Sequence, residues 1–481
     1  MERFTGQDAA FLYMETPSVH MHTLKVAVID LPAEIPYADV FELVRASMES
    51  KLHLVPRLRL RPVEVPGGLH HPMWVNDPNF DIGRHLYRKK IAEPGGHREM
   101  DQAIAEIASI QLPRDRPLWE TWLLEGLADG GVVLVTKIHH SLADGVASAT
   151  MLAKVMNLDP DRDDLNVPTP AWTPERLPSR PELVIGAFLD QRQQLGALGP
   201  LVRRTIRGSI NVLKNLKHRV IDVPYPFVTP RTVFNRTLSP RRSFASTSLP
   251  LADFKRVKNA ANVTLNDVVL ATVAGALNKF FEDRGEHLSR PLVASVPIAV
   301  ATPGNAPREA GNRVANLFTS LCNDVTNPLL RLQMIHTITS QSKEVQRQLG
   351  IETLLDWSDA APAGIYRWIL GAFSQSRMSD YLPPPANLVV SNVRGPDHPL
   401  YVAGARLRTI YSVGPAVEGI GLNITGWSYC GELTFSLIAD AEAIPDPHII
   451  TEALAPALED LKKAAGITEQ EQRGQSPFSK G

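Results

Sequence analysis

The chain has 481 residues, of which 44% are hydrophobic and 21% charged, a composition typical of a globular protein with a large core. Fifty basic residues meet 51 acidic ones, and this balance argues against nucleic-acid binding driven by bulk positive charge. No apolar run reaches the roughly 18 residues that a membrane-spanning helix needs, and the N-terminus lacks the pattern of a signal peptide. Cys322 and Cys430 are far apart in sequence, which indicates no disulfide framework and favours a reducing compartment, the cytoplasm or the cytoplasmic face of a membrane.

Strand-like and helix-like segments alternate in both parts of the chain. The segment 131–138, GVVLVTKI, is short, apolar and rich in β-branched residues, which predicts a buried strand, and 146–156 predicts a helix after it. This mixture indicates an α/β fold throughout. Later in the chain, strands are predicted at 291–296, 387–390 and 432–438, and helices at 265–281 and 448–465.

Proline is enriched, with 39 residues, and it bunches at 168–181 and 224–230. Because proline fixes φ and lacks a backbone donor, neither cluster can be a long helix or an inner strand. We therefore predict a proline-rich crossover at 161–240. It joins an N-terminal half, 1–160, to a C-terminal half, 241–466, and a polar tail at 467–481 is expected to be disordered.

A helical stretch at 182–221 lies within this crossover. Between 191 and 221 it has seven lysines and arginines and no acidic residue, and its apolar residues recur near helical spacing. Two interpretations are open: a solvated surface helix, or a basic amphipathic helix that rests on anionic lipid. Proline and glycine at 196, 199, 200 and 208 argue against one continuous helix.

The pattern HHxxxDG occupies 139–145, directly after the predicted strand 131–138. Because side chains alternate along a strand, His139 and His140 are expected to face opposite ways, so that one enters a cleft while the other packs. A neutral imidazole suits a general base near physiological pH. Asp144 can pair with an arginine or cap the next helix, and Gly145 is expected to permit a backbone conformation that a side chain would resist.

Metal binding is the weaker interpretation of these histidines. Adjacent residues on a strand diverge, and the spacings HExxH and HxH are absent from this motif, so we predict no metal site. Two other histidine pairs, His20/His22 and His70/His71, are interpreted as structural.

The chain has no GxSxG nucleophile elbow, no GxxxxGK phosphate loop and no GxGxxG after a strand. Without an obvious nucleophile, a covalent intermediate is not expected. A lone histidine base suits a direct transfer, in which an alcohol loses its proton while its oxygen attacks an activated acyl group such as a thioester. The tetrahedral intermediate then needs an oxyanion donor, and a thiol leaves readily without a strong acid.

The segment HHSLADG resembles the active-site signature of CoA-dependent acyltransferases and peptide-synthetase condensation domains. Further segments, in the same order, are similar to those of the bacterial wax ester synthase/diacylglycerol acyltransferase family, and the resemblance runs along nearly the whole chain. These segments are QDAAFLYMETPSVHMH at 7–22, PLW at 117–119, ND at 266–267, GNR at 311–313, NVRGP at 392–396 and GLNI at 421–424.

The resemblance implies two chloramphenicol-acetyltransferase-like halves, each a mixed β-sheet flanked by helices, with a channel between them that reaches HHxxxDG. It implies transfer of a long-chain fatty acyl group from acyl-CoA to diacylglycerol, with acyl-CoA as co-substrate and no bound cofactor. The partners are then acyl-CoA and a lipid alcohol, and nucleic acid is not expected. The basic helix would bring the enzyme to a membrane face or a lipid inclusion; the oligomeric state stays open.

Carried onto this sequence, the resemblance makes His140 the general base and Asp144 chiefly a structural residue that orients the loop. In related condensation domains an upstream arginine pairs with that aspartate, and Arg57 and Arg59 are the candidates here.

Three further polar residues are candidates for supporting roles. Asn266 and Asp267 would lie near the channel, or Asn266 would cap the helix that follows it. Asn392 would donate to the oxyanion, or it would be a turn residue before Arg-Gly-Pro.

Other functions are compatible with the same motifs. The acceptor can be a long-chain alcohol, which would give a wax ester. The donor can be a carrier protein, as in condensation-type enzymes, although no carrier domain is evident in this chain. A lipid-binding protein that has lost catalysis is the third alternative, and the intact motif argues against it.

Overall fold

The computed structural model describes residues 1–32, 36–160, 174–216, 229–299, 312, 314–349 and 357–467. All but the first residue of the predicted disordered tail therefore lies outside the described residues, as do parts of both proline clusters. The described chain folds into two six-stranded sheets, a small three-stranded sheet and flanking helices.

The first large sheet carries the HHxxxDG motif. Its strands are antiparallel to their neighbours, except that the last two run parallel. In spatial order they are β12 (Tyr401–Val402), β13 (Ala405–Val413), β2 (His22–Asp30), β7 (Val132–His139), β6 (Trp119–Glu125) and β5 (Leu86–Lys90). Because β12 and β13 come from the segment 241–466, the C-terminal part of the chain completes the sheet of the N-terminal half.

The second large sheet is mixed, as the resemblance implied. Strand β11 (Leu388–Arg394) runs parallel to both of its neighbours, and the remaining pairs are antiparallel. In spatial order the strands are β10 (Val314–Ser320), β9 (Val293–Ala299), β11, β14 (Leu422–Tyr429), β15 (Glu432–Asp440) and β8 (Arg242–Pro250). The small sheet consists of β1 (Glu2–Arg3), β4 (Met73–Asn76) and β3 (Leu60–Val63).

Helices cover these sheets. The largest apolar core among the described residues lies under the second sheet, where the mostly buried helix 265–283 packs against the helix 448–464. In chain order the helices are α1 (Gly6–Met14), α2 (Val40–Lys51), α3 (His97–Ala108), α4 (Gly145–Val155), α5 (Arg180–Leu216), α6 (Leu251–Ala261), α7 (Leu265–Asp283), α8 (Pro328–Leu349), α9 (Ala363–Gln375) and α10 (His448–Ala464).

The strand predicted at 131–138 is β7, and the helices predicted at 146–156, 265–281 and 448–465 are α4, α7 and α10. The expectation that proline and glycine interrupt the crossover helix is wrong, because α5 is continuous through Pro200. Its buried residues Leu183, Ala187 and Leu201 lie on both sides of that proline, so tertiary packing supports a helix that local propensity disfavours.

Most side chains of the predicted basic face of α5 lie outside the part of the chain that the structure describes. Of the seven cations that define it, Arg203 is exposed, and the other six side chains are not among the described ones. Within the described residues, no single helix has both the length and the apolar composition to cross a bilayer. Helices α6 and α7 would reach that length only together, and they are bent by 106°.

Candidate active site

The HHxxxDG motif bridges the end of β7 and the start of α4. Strand β7 is held on both sides, since the His139 backbone N–H donates to Leu118 O at 3.0 Å and the His140 N–H donates to Met21 O at 2.7 Å. The backbone of both histidines is therefore held by the residues that directly precede β6 and β2.

The His139 side chain is fully buried. Its Nδ1 accepts the Ser141 backbone N–H at 3.1 Å, so Nε2 carries the ring hydrogen and faces Glu15 Oε1 at 3.5 Å. Burial opposes ionisation of Glu15, but His139 and Arg114 outweigh it and hold the pKa of Glu15 at about 2. His139 Nε2 thus faces the carboxylate of the Glu15–Arg114 ion pair.

His140 as a whole residue is half-buried. It stacks on Phe11 of α1 with ring centroids 4.1 Å apart. Desolvation lowers the pKa of His140 to about 4, although the negative charge of Asp144 acts to raise it. The imidazole is therefore neutral at physiological pH and able to accept a proton.

A residue from the C-terminal half contacts His140 directly. Asn312 Oδ1 lies 3.0 Å from His140 Nδ1, and Asn312 Nδ2 donates to the His140 carbonyl oxygen at 2.6 Å. The same Nδ2 donates to Asp8 Oδ1 of α1 at 2.7 Å. Burial raises the pKa of Asp8 to about 6, because its hydrogen bonds with Asn312 and the charge of Arg57 only partly offset the loss of solvent.

Asp144 is fully buried and caps α4, with its carboxylate accepting the Ala147 backbone N–H at 2.9 Å. A cation not predicted from the sequence, Lys25 of β2, is electrostatically coupled to it. Burial lowers the pKa of Lys25 to about 8, while Asp144 acts to raise it. Lys25 Nζ also donates to Ser412 Oγ at 2.6 Å, which ties the motif to β13.

The two arginines predicted as partners of Asp144 make other contacts. Arg57 donates to Glu2 Oε1 at 2.8 Å, and its guanidinium lies over Trp74. Arg59 lies over the ring of Phe80.

Gly145 begins α4 without the unusual backbone that the sequence suggested. Its φ is not positive, and a Cβ there would lie 3.6 Å from Val393 Cγ2, an ordinary van der Waals distance. The predicted need for backbone freedom is therefore wrong. Gly145 lies next to Val393 of β11, the strand of the NVRGP element.

Asn266 does not cap α7, because Thr264 is the N-cap and Asp267 completes a capping box with it. Asp267 also binds α8, with His336 Nδ1 at 2.7 Å from Oδ2 and Thr339 Oγ1 donating to Oδ1 at 2.8 Å. These contacts hold α7 and α8 together.

Asn392 lies inside β11 and pairs with Gly426 of β14, so its interpretation as a turn residue is wrong. In the same element, Gly395 leaves no room for a side chain, since a Cβ there would lie 2.4 Å from Trp427 Nε1.

An apolar cavity of about 120 Å³ lies between the first sheet and helices α2 and α4. Met151, Leu152 and Val155 line it from α4, and Trp119 of the PLW element lines it from β6. Trp119 Nε1 donates to Leu58 O at 2.7 Å, so the indole is held in place at the wall. The cavity therefore borders α4, the helix that begins at Gly145 of the HHxxxDG motif.

The site geometry agrees with the sequence comparisons. Residues 4–269 match the sequence model of the wax ester synthase/diacylglycerol acyltransferase catalytic domain, and residues 310–462 match that of the WS/DGAT C-terminal domain. The chain belongs to the wax ester synthase/diacylglycerol acyltransferase family.

Curated WS/DGAT relatives cover the whole length of the chain. A Mycobacterium tuberculosis (strain H37Rv) protein, provisionally named a diacylglycerol O-acyltransferase, is 37% identical over 97% of both chains. A second protein of that strain with the same provisional name is 35% identical over 97% of this chain and 98% of its own length.

Solved structures agree with this assignment. The wax ester synthase/diacylglycerol acyltransferase of Marinobacter aquaeolei VT8 is 26% identical, with a TM-score of 0.68 over 96% of this chain and all of that one. The first condensation domain of the calcium-dependent antibiotic synthetase has a TM-score of 0.56 over 96% of each chain but is only 15% identical, so it shows the fold alone. The protein is an O-acyltransferase of two acyltransferase-like halves.

Several residues of the site lie in segments that resemble the WS/DGAT family, but the sequence did not indicate what these residues contact. Asp8, Phe11 and Glu15 lie in the N-terminal element at 7–22, and Asn312 lies in the GNR element, whose Gly311 and Arg313 fall outside the described residues. The local sequence did not indicate that Lys25 is buried near the motif, since a lysine in a strand ordinarily faces solvent.

The remaining histidine pairs have structural contacts. His20 Nε2 lies 2.9 Å from Pro17 O, His22 Nε2 lies 3.1 Å from Ala108 O, and His71 Nδ1 lies 3.0 Å from the Tyr13 hydroxyl. In the part of the chain that the structure describes, no group of three His, Cys, Asp or Glu residues is arranged to hold a metal ion.

Proposed function

We propose that this enzyme transfers a long-chain fatty acyl group from acyl-CoA to the free hydroxyl of diacylglycerol, forming triacylglycerol, with His140 as general base. The observation that carries the proposal is the state of His140: a neutral imidazole at the end of a buried strand, in contact with Phe11 and Asn312, with its pKa lowered to about 4. Such a ring is unprotonated at physiological pH, so a nitrogen lone pair is available to accept the hydroxyl proton.

The step is a direct displacement. His140 takes the hydroxyl proton of the acceptor while that oxygen bonds to the thioester carbon, and the carbonyl electrons move to its oxygen. When the tetrahedral intermediate collapses, the carbon–sulfur bond breaks and the CoA thiolate leaves. The imidazolium returns its proton to that thiolate, so the products are the new ester and free CoA, and the ring is neutral again.

Asp144 and Asn312 support the charge that develops on His140. The Asp144 carboxylate acts to raise the pKa of His140 and thus favours the imidazolium. Asn312 Oδ1, 3.0 Å from Nδ1, is an acceptor on the same ring. Both groups are in place before the proton moves, so little reorganisation is needed during the reaction.

The apolar cavity beside α4 is the proposed site for part of the acyl chain. Its volume of about 120 Å³ is close to the ~150 Å³ of a protein cavity that accepts benzene, so it holds several carbons and not a whole long chain. Met151 and Leu152, which line it, lie one to two turns along α4 from Gly145. A chain that enters here would thus be anchored close to the motif.

A lipid surface is the proposed location of the acceptor. Solvent-facing apolar residues recur at helical spacing on both α5 and α9, and both helices pack against the turn at 66–68. We define this apolar face as Ile185, Phe188 and Leu189 of α5 with Ile365, Trp368 and Ile369 of α9. Trp368 is 72% exposed, and exposed tryptophan is typical of membrane interfaces.

A competition experiment tests the proposed acceptor. Purified enzyme receives radiolabelled palmitoyl-CoA with equal amounts of diacylglycerol and hexadecanol, and the labelled lipids are separated. The proposal expects triacylglycerol to dominate. A predominance of wax ester would identify the alcohol as acceptor, and transfer only from a phosphopantetheinyl carrier would contradict CoA as the donor.

A further inference from the structure

Asn312 is the shared partner of His140 and Asp8. It is almost wholly buried, and it is contributed by the C-terminal part of the chain, two residues before β10. Its Oδ1 faces His140 Nδ1 at 3.0 Å, and its Nδ2 lies 2.6 Å from the His140 carbonyl oxygen and 2.7 Å from Asp8 Oδ1. The Asn312 backbone N–H also donates to Asp8 Oδ1 at 3.0 Å.

These partners determine which way the Asn312 amide points. A backbone carbonyl and an ionised carboxylate only accept hydrogen bonds, so the amide atom that faces both of them has to be the NH₂ group. The remaining amide atom, which faces His140 Nδ1, is then the oxygen. Because an amide oxygen can only accept, His140 Nδ1 has to carry the hydrogen.

We propose that Asn312 and Asp8 are positioning residues that hold His140 in the Nδ1–H tautomer, so that Nε2 presents its lone pair to the acceptor hydroxyl. This inference rests on the proposed role of His140 as general base. Asp8 acts through Asn312: its carboxylate keeps the NH₂ group turned away from the ring. Phe11, stacked on the same imidazole at 4.1 Å, restricts the plane in which the ring lies.

The inferred tautomer is opposite to that of the neighbouring histidine. His139 Nδ1 accepts the Ser141 backbone N–H, which places the His139 hydrogen on Nε2. Different hydrogen-bond partners thus set two adjacent imidazoles in different tautomers. The sequence pair His-His alone does not indicate which ring would carry its hydrogen on which nitrogen.

Nitrogen NMR of the wild-type enzyme tests the inference without any mutation at Asn312. Protein labelled with ¹⁵N-histidine is recorded at pH 8, and the His140 signals are identified by their loss in His140→Gln. We expect Nδ1 to show the shift of a protonated ring nitrogen and Nε2 that of an unprotonated one. The reverse pattern, or an equal mixture of both tautomers, would overturn the inference and leave the acyl transfer reaction itself untouched.

Kinetics of a matched pair of variants tests whether the contact matters for turnover. Asn312→Leu keeps the side-chain shape but removes its hydrogen bonds, and we expect kcat to fall about 10²-fold, with the KM for acyl-CoA nearly unchanged. Gln7→Met is the control, because Gln7 Nε2 donates to Val314 O at 2.7 Å and so links the same two segments. We expect it to keep kcat within about threefold, since that contact positions no reacting group.

Several outcomes decide between the explanations. Equal losses in both variants would mean that Asn312 only holds the two segments together, and the positioning role would be wrong. A folded Asn312→Leu enzyme with wild-type kcat would also refute it. If Asn312→Leu fails to fold, the NMR result on the wild-type enzyme still decides the tautomer. If His140→Ala keeps full activity, the proposed base is wrong even where the tautomer is as inferred.

Discussion

His139 and His140 follow each other at the end of β7, yet their rings contact different groups. The His139 side chain is fully buried and faces Glu15 Oε1 at 3.5 Å, whereas the His140 ring stacks on Phe11 and faces Asn312 Oδ1 at 3.0 Å. Divergence of adjacent side chains along a strand agrees with this separation. The surroundings of His139 are therefore ionic, and those of His140 are an aromatic ring and an amide.

The first prediction concerns His139. In His139→Ala the buried Glu15 carboxylate loses a partner and a cavity forms, so we expect the free energy of unfolding to fall by about 2 to 4 kcal/mol. Urea denaturation measures this loss. His140→Ala is the control and should lose less stability, because no buried ionised carboxylate loses a direct partner. Wild-type stability of His139→Ala would contradict the structural role of this residue.

The second prediction is a pH dependence set by Asp8. Since the pKa of Asp8 is raised to about 6, the carboxylate is ionised above pH 6 and protonated below it. The protonated form can donate a hydrogen bond, so the Asn312 amide is held less firmly, with the His140 carbonyl oxygen as its one remaining obligate acceptor. We expect kcat to decline as pH falls through about 6, above the pKa of about 4 at which His140 itself would be protonated.

Asp8→Asn separates these two titrations. Its neutral amide resembles protonated Asp8, so kcat at pH 8 should be lower by about tenfold, the effect of one hydrogen bond. The decline near pH 6 should disappear, and the profile should stay flat down to pH 5. The pKa of Asp8 is lowered by Arg57 and Asn312, and the pKa of His140 is affected by Asp144 and His139. The substitution Asp8→Asn replaces none of these four residues. A decline that stays at pH 6 would contradict the assignment.

The third prediction concerns acyl chain length. Met151→Phe should fill part of the cavity beside α4 and disfavour long chains by about fourfold for each methylene displaced. The measurement is the ratio of kcat/KM for palmitoyl-CoA to that for octanoyl-CoA. Met100→Phe is the matched control, since Met100 is equally buried but lies in the core under α3. An unchanged ratio in Met151→Phe would show that the acyl chain does not enter this cavity.

The fourth prediction concerns the apolar face of α5 and α9. Replacing Phe188 and Trp368 together by serine should lower binding to phosphatidylcholine vesicles by about 10-fold to 100-fold, because two large side chains no longer enter the lipid. Vesicle flotation measures this. The control is Ile449→Ser, a residue of α10 that is 45% exposed and outside the apolar face.

Vesicle composition tests the other part of the membrane hypothesis. Binding that requires phosphatidylglycerol and weakens with salt would indicate the basic face predicted for 182–221. Equal flotation of the double variant and the wild-type enzyme would mean that the apolar face does not contact lipid.

Much of the fold could be predicted from local pattern. Strand β7 and helices α4, α7 and α10 have strong periodicity and turn signals, and the structure has them close to the predicted bounds. Continuity of α5 could not be predicted, because it depends on tertiary packing that overrides Pro200. That β12 and β13 complete the first sheet also depends on long-range pairing, which leaves no local signal.

The candidate site was predictable only where residues are close in sequence. HHxxxDG indicated His140 because its members lie within one strand–turn–helix unit. Asn312 lies 172 positions from His140, and its amide acquires a role only through folding. The electrostatic interaction of Lys25 with Asp144 could not be predicted, because local sequence does not show which cation a fold brings near a buried carboxylate.

The central claim, that His140 activates a lipid hydroxyl for attack on acyl-CoA, is tested most directly by release of free CoA. Thiol release from palmitoyl-CoA is measured with and without diacylglycerol, for wild-type enzyme and for His140→Ala. We expect release by the wild-type enzyme only when diacylglycerol is present, and a loss of about 10³-fold or more in the variant. Undiminished, acceptor-dependent release by a folded His140→Ala enzyme would contradict the claim.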